Sequence, residues 1–560
     1  TSGTSHWLCW QHRFVHRTTS LFSLLESRCS SQSQTSSRTP GRADESSGFT
    51  VLSTTPGQPD GSATSLVLRP KEPTLSRSSN ELRSLASQTA LYGLSTVVGR
   101  LLNYLLVPLH TRLFEPQEYG VITDFYAMAA LLAVIYTYGM ETAFFRFVNR
   151  KDQNVKAVYA TSFYAVLATS LILSVLLWMN ADSLAVALRH PDKAHFVRWF
   201  SLIFALDAVS ALPFARLRQE GRSWSYVTLK FSNILILVGL QVYFLVIQPA
   251  QGNTSSFTSL DGVVLSNLVA NGITLLFLLR GLPLLRDFDT RILRPMLAYA
   301  WPLLVAGLAG MFNETLDRVL LKYRLGGTLS SALWQVGVYG AVYKLAVLMS
   351  LYTQAFRMGA EPFFFRKNTV NPDNDPKDSL SYGKVFWYYS FIGWGLFLVV
   401  TLGMDAAKLL IGPAYHEGLP VVPILLLANL CLGWYYNHSI WFKTSDQTRW
   451  GLWIGLGAAV LTVVGNWFLI PLYGYTASAW VTLVCYASMF AASLLASRLY
   501  NPISYPWKGW LLLGAWALFL YGLDSWLPSG LGMFNLGLKF LLLIVYVLGV
   551  PLFRKFGLDR

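Results

Sequence analysis

Long apolar segments separated by short polar loops fill the chain from about residue 86 to residue 553. A helix needs about 20 mostly apolar residues to cross a bilayer. Fourteen segments meet that requirement, at about 86–109, 120–143, 157–179, 196–216, 226–248, 260–280, 295–317, 333–356, 385–404, 420–441, 450–470, 475–497, 508–527 and 534–553. The pattern predicts an all-α integral membrane protein with about 14 transmembrane helices.

Two of these segments repeat one another. Tyr119-Gly120 opens the first, and Glu141-Thr-Ala-Phe-Phe-Arg146 closes it. The second opens with Tyr339-Gly340 and closes with Glu361-Pro-Phe-Phe-Phe-Arg366. They are the second helices of spans 1–6 and of spans 7–12, which predicts two pseudo-symmetric six-helix bundles. Matching halves are typical of transporters that open one central site to each side of the membrane in turn.

The repeat divides the chain into four predicted parts: an N-terminal extension, two bundles, and two additional helices with a cytoplasmic tail, at 1–84, 85–290, 291–500 and 501–560. The extension is rich in Ser, Thr, Arg, Gly and Pro, which indicates disorder. Its scarcity of acidic residues resembles an organelle transit peptide. Because no Met precedes Met128, upstream sequence or a mis-called start is the favoured interpretation.

The composition agrees with a lipid-embedded chain. Hydrophobic residues make up 53% and charged residues only 13% of the 560 residues, whereas soluble domains carry about 25% charged residues. The net charge of +15 does not indicate nucleic acid, because most basic residues lie in short loops that set membrane topology. The four cysteines show no paired spacing, so neither a disulfide framework nor a metal site is expected.

Basic residues are unevenly shared between the two sets of loops. Alternate loops, starting with the one after the second span, hold most of the loop Lys and Arg residues, and so does the C-terminal tail. This imbalance predicts that both termini are cytoplasmic. One predicted outer loop departs from the rule, since it holds Arg318, Lys322 and Arg324. Either the seventh span is longer than 295–317, or these cations line a pathway.

Two stretches resemble a known family. The run from Leu91-Tyr-Gly-Leu-Ser-Thr-Val-Val-Gly-Arg100 through Pro108 to Arg112-Leu-Phe-Glu-Pro-Gln-Glu-Tyr-Gly120 is similar to the opening of bacterial polysaccharide-unit flippases. Asn313-Glu314 and Asp317-Arg318, followed by Leu320-Leu321, resemble the start of that family's second half. These flippases belong to the superfamily of multidrug, oligosaccharidyl-lipid and polysaccharide exporters.

The resemblance implies a transporter in the bacterial inner membrane that flips undecaprenyl-diphosphate-linked oligosaccharides by alternating access, for surface polysaccharide or lipopolysaccharide synthesis. Polysaccharide polymerases or other assembly proteins are expected partners. We find no nucleotide or catalytic motif, so neither an enzyme nor a cofactor is predicted. Coupling to protons, sodium or the membrane potential stays open. A cation-coupled multidrug antiporter is one alternative, and a membrane glycosyltransferase or polymerase is another.

Ionisable residues within predicted spans are the candidate site residues, because charge is costly in lipid. Arg100, Arg318 and Lys344 are the candidates for substrate binding. Arg100 lies near the middle of the first span, where a guanidinium can bind a diphosphate through paired hydrogen bonds; alternatively, it pairs with a carboxylate and ties helices together. Asp124 and Lys344 occupy equivalent repeat positions, and either bridge the bundles at an outer gate or are solvated at the interface.

The remaining candidates are assigned to gating or ion coupling. Glu314 and Arg318 stand at i and i+4 and can pair, or Glu314 and Asp317 can hold a proton or sodium ion, or all three lie at a solvated helix end. Asp207 is a further coupling candidate, with packing against a polar neighbour as the alternative. The pairs Glu141/Arg146 and Glu361/Arg366 are predicted contacts of an inner gate, with interfacial anchoring as the alternative.

Overall fold

The computed structural model describes residues 104, 106–150, 153–251, 259–370, 376–444, 447, 449–500, 505–527, 530 and 532–557. The predicted N-terminal extension, most of the first predicted span and Arg100 lie outside these residues. The side chains of Glu361 and Arg366 lie outside the described part as well. No strand occurs in the described ranges, which confirms the all-α prediction.

The first half contains eight described α-helices of seven or more residues. They are α1 (Leu106–Leu113), α2 (Pro116–Thr137), α3 (Met140–Val148), α4 (Val155–Met179), α5 (Ala181–Ala187), α6 (Ala194–Gln219), α7 (Ser223–Val242) and α8 (Ser259–Leu278). A π-helical turn at Tyr243–Ile247 and a short helix at Gln248–Ala250 continue α7, and 3-10 turns occur at Pro191–Lys193, Leu279–Gly281 and Leu285–Asp287. Pro116 starts α2, behind a capping box formed by Glu115 and Glu118.

The second half and the C-terminal region contain the other described helices. They are α9 (Thr290–Arg324), α10 (Leu329–Val370), α11 (Pro376–Leu402), α12 (Met404–Leu410), α13 (Val422–His438), α14 (Ile440–Thr444), α15 (Arg449–Tyr473), α16 (Tyr475–Tyr500), α17 (Trp507–Asp524) and α18 (Met533–Gly557). A 3-10 helix at Pro413–Val421 leads into α13. Asp289 caps α9, since its side chain accepts a hydrogen bond from the Arg291 N–H at 2.8 Å.

Eleven helical segments among the described residues are long and apolar enough to cross a membrane. They coincide with the second to the twelfth predicted spans, which confirms a multi-pass membrane protein. Helices α17 and α18 occupy the positions of the last two predicted spans, although only a shorter apolar stretch, Met533–Gly549, is found there. The predicted number of fourteen is therefore not established by the described residues.

Helix α9 explains the exception in the loop charges. It continues to Arg324, so the predicted seventh span, which ended at residue 317, was drawn too short. Arg318 and Lys322 belong to this helix rather than to an outer loop; Lys322 is buried and Arg318 is half-buried. Extending the helix by two turns lets basic side chains that would be costly in lipid find polar partners within the protein.

The repeated segments differ in backbone conformation. The first is broken between α2 and α3, where Tyr138 and Gly139 have φ values of 35° and 74°. Gly139 also lies against Leu303 of α9, and an added Cβ would approach the Leu303 Cβ to 2.8 Å. The second copy is one continuous helix of 42 residues, α10. The sequence repeat is therefore a repeat of position along the chain, not of helix geometry.

Helices α2 and α10 join the two halves by close backbone contact. A Cβ added to Gly337 would lie 1.8 Å from the Pro116 carbonyl oxygen, and one added to Gly120 would lie 2.0 Å from the Leu333 oxygen. Small residues at such crossings let membrane helices approach closely. Glycine is therefore required on both helices at the predicted outer side of the membrane.

Polar contacts attach the two C-terminal helices to the second half. Asp405 accepts hydrogen bonds from Lys408 at 2.8 Å, from Lys539 of α18 at 2.7 Å and from the Gly530 N–H at 3.0 Å. The Lys408 and Lys539 ammonium groups, followed by the Gly530 amide, hold the pKa of the Asp405 carboxyl well below its usual range. Asp405 is therefore a charged anchor for both neighbouring segments.

Replacing Gly337 by Ala tests the close contact between α2 and α10. We expect the Gly337→Ala variant to unfold at a lower temperature, because the new methyl group collides with backbone that cannot yield, and such overpacking costs about 1–3 kcal/mol. Gly457→Ala is the matched control, since a Cβ there meets nothing within 4 Å. The control should keep or slightly raise the melting temperature. Equal melting temperatures for both variants would contradict the close contact.

Candidate functional site

A cavity of about 430 Å³ lies between the two halves. Its walls come from α1, α2, α7 and α8 of the first half and from α9 and α10 of the second. The polar residues that line it are Tyr104, His110, Tyr119, Thr123, Tyr126, Gln241, Asn267, Glu314, Thr315, Arg318, Tyr343 and Lys344. Three of the predicted site residues, Glu314, Arg318 and Lys344, therefore line one chamber.

Arg318 is fixed on the wall of this central cavity by an aromatic ring. Its guanidinium lies over the Tyr343 ring at 4.1 Å and donates to the Glu314 backbone carbonyl at 3.2 Å. The predicted pairing with the Glu314 carboxylate is not formed in this structure, because the guanidinium turns towards Tyr343. Stacking of this kind leaves the remaining N–H donors of an arginine free for a ligand.

Lys344 is the second cation of the central cavity. Its ammonium lies 5.1 Å from the centre of the Tyr119 ring, which belongs to the first half. His110 and Gln241, on neighbouring walls, share a hydrogen bond of 2.8 Å. Glu314 is the only carboxylate among the described lining residues, against Arg318 and Lys344. The chamber is therefore suited to an anionic group that brings hydroxyl partners.

Asp317 faces away from this chamber. Its carboxylate accepts a hydrogen bond from the Tyr339 hydroxyl at 2.7 Å and one from the Arg318 backbone N–H at 2.8 Å. Glu314 instead lines the cavity. The two carboxylates do not converge here, and no cluster of three or more possible metal ligands occurs in the described ranges. Their assignment to ion coupling stays a prediction.

A buried ion pair closes the predicted outer end of the interface between the halves. Lys322 of α9 binds Asp124 of α2, with side-chain exposures of 0% and 2%. His190 also contacts the Asp124 carboxylate at 3.0 Å, and Lys322 donates to the Leu188 carbonyl at 2.9 Å. Lys322 lies one helical turn beyond Arg318, so this contact adjoins the central cavity.

Asp124 therefore bridges the halves, but with a different partner from the one assigned, and its role in gating stays a prediction. We paired it with Lys344, because the two occupy equivalent positions in the repeat. In this structure Lys344 points into the central cavity, and Lys322 takes its place. Equivalent repeat positions face equivalent directions within their own bundles, which does not make them face each other. The departure of Lys322 from the loop-charge rule was the available signal in the sequence.

A second cavity, of about 340 Å³, lies within the first half. Asp207 and Lys230 line it, together with Glu141 and Arg218, which form an ion pair. Lys230 also lies over the Phe214 ring at 4.3 Å. Asp207 is solvent-exposed in this cavity rather than packed against a polar neighbour. A carboxylate and an ammonium that line one cavity attract each other and partly offset each other's charge.

Hydrogen-bonded amides connect the two cavities. Asn233 donates to Asn271 at 3.1 Å, Asn271 donates to Asn267 at 3.3 Å, and Asn267 donates to the Tyr126 hydroxyl at 2.9 Å. Asn233 lines the second cavity, and Tyr126 lines the central one. Sequence reasoning missed this chain because neutral amides carry no charge signal.

The predicted inner-gate pair Glu141/Arg146 is not formed. Glu141 binds Arg218 instead, and the Arg146 guanidinium lies over the Tyr299 ring of α9 at 4.1 Å. Residues five positions apart lie on different faces of a helix, so each side chain finds a partner on another helix. Arg146 nevertheless joins the first half to the first helix of the second half.

Comparisons with known proteins agree with this architecture. A family model described as "Polysaccharide biosynthesis protein" matches residues 85–366, just over half of the chain. The succinoglycan biosynthesis transport protein ExoT of Rhizobium meliloti (strain 1021) is 26% identical over 174 residues, which cover 30% of this chain and 33% of the relative. The match thus spans about a third of the relative's length.

Solved structures show the same fold. The lipid II flippase MurJ in an inward closed conformation superposes with a TM-score of 0.63 and 12% identity, over 83% of this chain and 99% of that one. An inward-facing multidrug resistance MATE family transporter of the MOP superfamily superposes with a TM-score of 0.58 and 15% sequence identity. This match covers 72% of this chain and 94% of that one. At these identities the likeness establishes the fold.

A double-mutant cycle tests the buried pair. Lys322→Met alone leaves Asp124 buried with His190 as its remaining partner, and we expect it to cost about 3–5 kcal/mol of stability. The Asp124→Asn/Lys322→Met double variant should cost clearly less than the two single changes added together, measured by thermal unfolding.

The exposed pair Arg198/Asp182, 2.7 Å apart with side-chain exposures of 33% and 75%, is the matched control. Its coupling energy should be about 0–1 kcal/mol. A similarly small value for Asp124 and Lys322 would show that the buried contact does not hold the halves together.

Proposed function

Because this chain belongs to the polysaccharide biosynthesis protein family, we propose that it flips a lipid-linked oligosaccharide across the membrane. The family lies within the exporter superfamily whose solved members share this fold, and its members are transporters. The proposed substrate is an undecaprenyl-diphosphate-linked oligosaccharide that serves a surface polysaccharide. Our proposed location is the bacterial inner membrane, with both termini in the cytoplasm.

The observation that carries this proposal is the pair of cations in the central cavity. Arg318 comes from α9 and Lys344 from α10, and both face a chamber that also presents tyrosine hydroxyls and amides. A guanidinium and an ammonium offset the cost of removing a diphosphate from water. Neutral polar side chains suit the sugar hydroxyls. The polyprenyl tail would stay in lipid between the halves.

Two relatives support the choice of substrate class. One is a succinoglycan biosynthesis transport protein, and the other is a flippase for lipid II. The first name describes transport in succinoglycan biosynthesis, and the second describes the flipping of a lipid. For this chain we infer the same class of cargo, since the family match and the cationic cavity point the same way.

Alternating access is the proposed mechanism. In the present conformation, the Asp124–Lys322 pair and the α2–α10 contact close the predicted outer end. Opening that end would separate the pair and expose the central cavity outwards. A membrane potential that is negative inside favours outward movement of an anion by about 2.3 kcal/mol per charge per 100 mV.

A multidrug antiporter is the alternative that the MATE-like fold keeps open. Cationic drugs need a cavity dominated by carboxylates, and Glu314 is the one such described residue in the central cavity. The membrane glycosyltransferase or polymerase has less support, because the family and its relatives are transporters.

Asp207 is our proposed coupling residue. It lines the second cavity, within the first half, and the amide chain from Asn233 to Tyr126 leads from there to the central cavity. Protonation of Asp207, or binding of sodium to it, would change the net charge beside Lys230. A reorientation of the amides would transmit that change to the substrate chamber.

Transport of a fluorescent undecaprenyl-diphosphate oligosaccharide in liposomes tests the function. Arg318→Gln and Lys344→Gln should each slow flipping about 10–100-fold, as expected for the loss of a charge-assisted hydrogen bond of about 1.5–3 kcal/mol. Arg324→Gln is the control on the same helix, because its side chain stacks on Trp467 at 4.1 Å, outside the central cavity. Arg100→Ala tests the remaining predicted cation.

The outcomes separate the two transporters. Flipping that is retained in Arg324→Gln and lost in the cavity variants supports a diphosphate-binding flippase. No flipping of several different sugar units, together with proton-driven efflux of a cationic dye, would establish the antiporter instead. Equal rates for wild type, Arg318→Gln and Lys344→Gln would remove the central cavity from the mechanism.

Imposed ion gradients test the coupling residue. We expect a proton or sodium gradient to accelerate flipping by the wild type, and the Asp207→Asn variant to lose this acceleration because the amide cannot change charge. Asp192→Asn, in an exposed loop position, is the control. A gradient response that survives in Asp207→Asn would assign coupling to another group.

A further inference from the structure

A third cavity lies at the predicted cytoplasmic end of the first half, and its lining residues are distinct from those of both other cavities. Its volume is about 290 Å³. It is formed where α6 ends, α7 begins and α8 ends, so three helix ends surround it. Its charged lining residues are Arg216, Glu220, Arg222 and Arg280. Three guanidinium groups thus face one carboxylate.

Arg216 is held rigidly in this pocket. It binds Glu220 in an i, i+4 ion pair and donates to the Gly281 carbonyl at 2.9 Å. Its guanidinium also lies over the Tyr159 ring at 4.9 Å, and the Tyr159 hydroxyl donates to the same Gly281 oxygen at 3.1 Å. These contacts tie the turn after α8 to α4 and α6, so the pocket has a fixed wall.

The other two arginines retain binding capacity. Arg222 lies 3.7 Å from Glu220, beyond hydrogen-bond distance, and most of its side chain is exposed. Arg280 has no ion-pair or hydrogen-bond partner among the residues that the structure describes. Because Glu220 can neutralise one guanidinium only, the pocket keeps an excess of positive charge. An anion with several acceptor oxygens could bind Arg222 and Arg280 together.

Exposed apolar side chains occur on the two helices, α7 and α8, whose ends form part of the pocket. Phe277, itself a lining residue, is 60% exposed, and the neighbouring Leu276 is 64% exposed. Trp224, at the start of α7, is 74% exposed. Tryptophan is typical of the membrane–water interface, and aromatic and aliphatic side chains beside it face lipid chains. An anion that carries a hydrocarbon tail would match both the arginines and these apolar side chains.

We propose that this pocket binds the phosphate of an anionic membrane phospholipid. Arg222 and Arg280 bind the phosphate oxygens, Arg216 shapes the wall, and the acyl chains lie along Leu276 and Phe277. Basic pockets between membrane helices on the cytoplasmic side suit such head groups. The alternative is that these arginines only set the orientation of the protein in the membrane. That role would require neither a cavity nor a fixed wall. The proposal is independent of the transported substrate.

Lipid retention measured by native mass spectrometry tests the site. The protein is purified from liposomes of phosphatidylglycerol and phosphatidylcholine, and the bound lipids are counted. Arg222→Gln and Arg280→Gln should each lower phosphatidylglycerol affinity about five-fold, since each arginine near a membrane surface contributes about 1 kcal/mol. Arg286→Gln, an arginine of the next turn that does not line the pocket, should leave retention unchanged.

Glu220→Gln provides a test that misfolding cannot imitate. It removes the carboxylate of the pocket and releases Arg216 and Arg222 from it, so phosphatidylglycerol should bind more tightly than in the wild type. Equal retention in wild type, Arg280→Gln and Glu220→Gln would overturn the proposal.

Two further outcomes decide what occupies the pocket. Equal retention of phosphatidylcholine would show that the hydrocarbon tail alone is recognised, and would also overturn the proposal. Displacement of phosphatidylglycerol from the wild type by an undecaprenyl-diphosphate lipid, whose own retention is lost in Arg222→Gln/Arg280→Gln, would assign the pocket to the cargo and not to a resident phospholipid. Retention of phosphatidylglycerol in excess cargo lipid supports the resident phospholipid.

Discussion

A charge enclosed by protein within the membrane must be satisfied by another part of the same protein, and the contact between the two halves depends on this constraint. Asp124 and Lys322 come from opposite halves and are almost completely buried. Neither can be left alone without a large cost. His190 and the Leu188 carbonyl extend the contact to the loop after α5. One ion pair thereby fixes the relation between α2, α9 and that loop.

The buried Asp124–Lys322 pair suits a protein in which the contact between the halves must also open. Asp124 Oδ1 has no hydrogen-bond partner among the described residues, so the buried pair is not fully satisfied. Water that enters when the outer side opens would hydrate both charges, and this hydration would offset much of the free energy needed to separate them. The backbone contacts at Gly120 and Gly337 add dispersion without adding polar bonds. The outer contact therefore forms between specific partners and can still be broken and re-formed, as the proposed alternating access requires.

The sequence predicted the fold well because the bilayer imposes one requirement on every span. Eleven predicted spans coincide with helices, and the cations Arg318 and Lys344 were identified from their place in apolar surroundings. The partners of the charged residues were not predictable in the same way. Asp124 was assigned to Lys344 through the repeat, and Glu141 to Arg146 through proximity along the chain. Actual partners depend on how helices rotate about their axes, which hydropathy does not specify.

The amide chain and the arginine pocket were missed for related reasons. Asn233, Asn271 and Asn267 belong to different turns of two helices, and only packing brings them into one line. Arg216, Arg222 and Arg280 belong to the basic residues that follow the loop-charge rule, and their convergence depends on where three helices end. In both sets, the sequence supplies the residue types while tertiary structure supplies the geometry.

The length of α10 has a mechanical consequence. Its 42 residues extend about 63 Å at 1.5 Å per residue, whereas a bilayer with its head groups is about 40–45 Å thick. Lys344 lies about 22 Å from the first residue of α10 and about 39 Å from the last. If α10 tilts as a rigid rod about the substrate chamber, its far end sweeps nearly twice the arc of its near end. A small separation at the outer contact therefore produces a larger displacement of the far end of α10, beyond the opposite membrane surface.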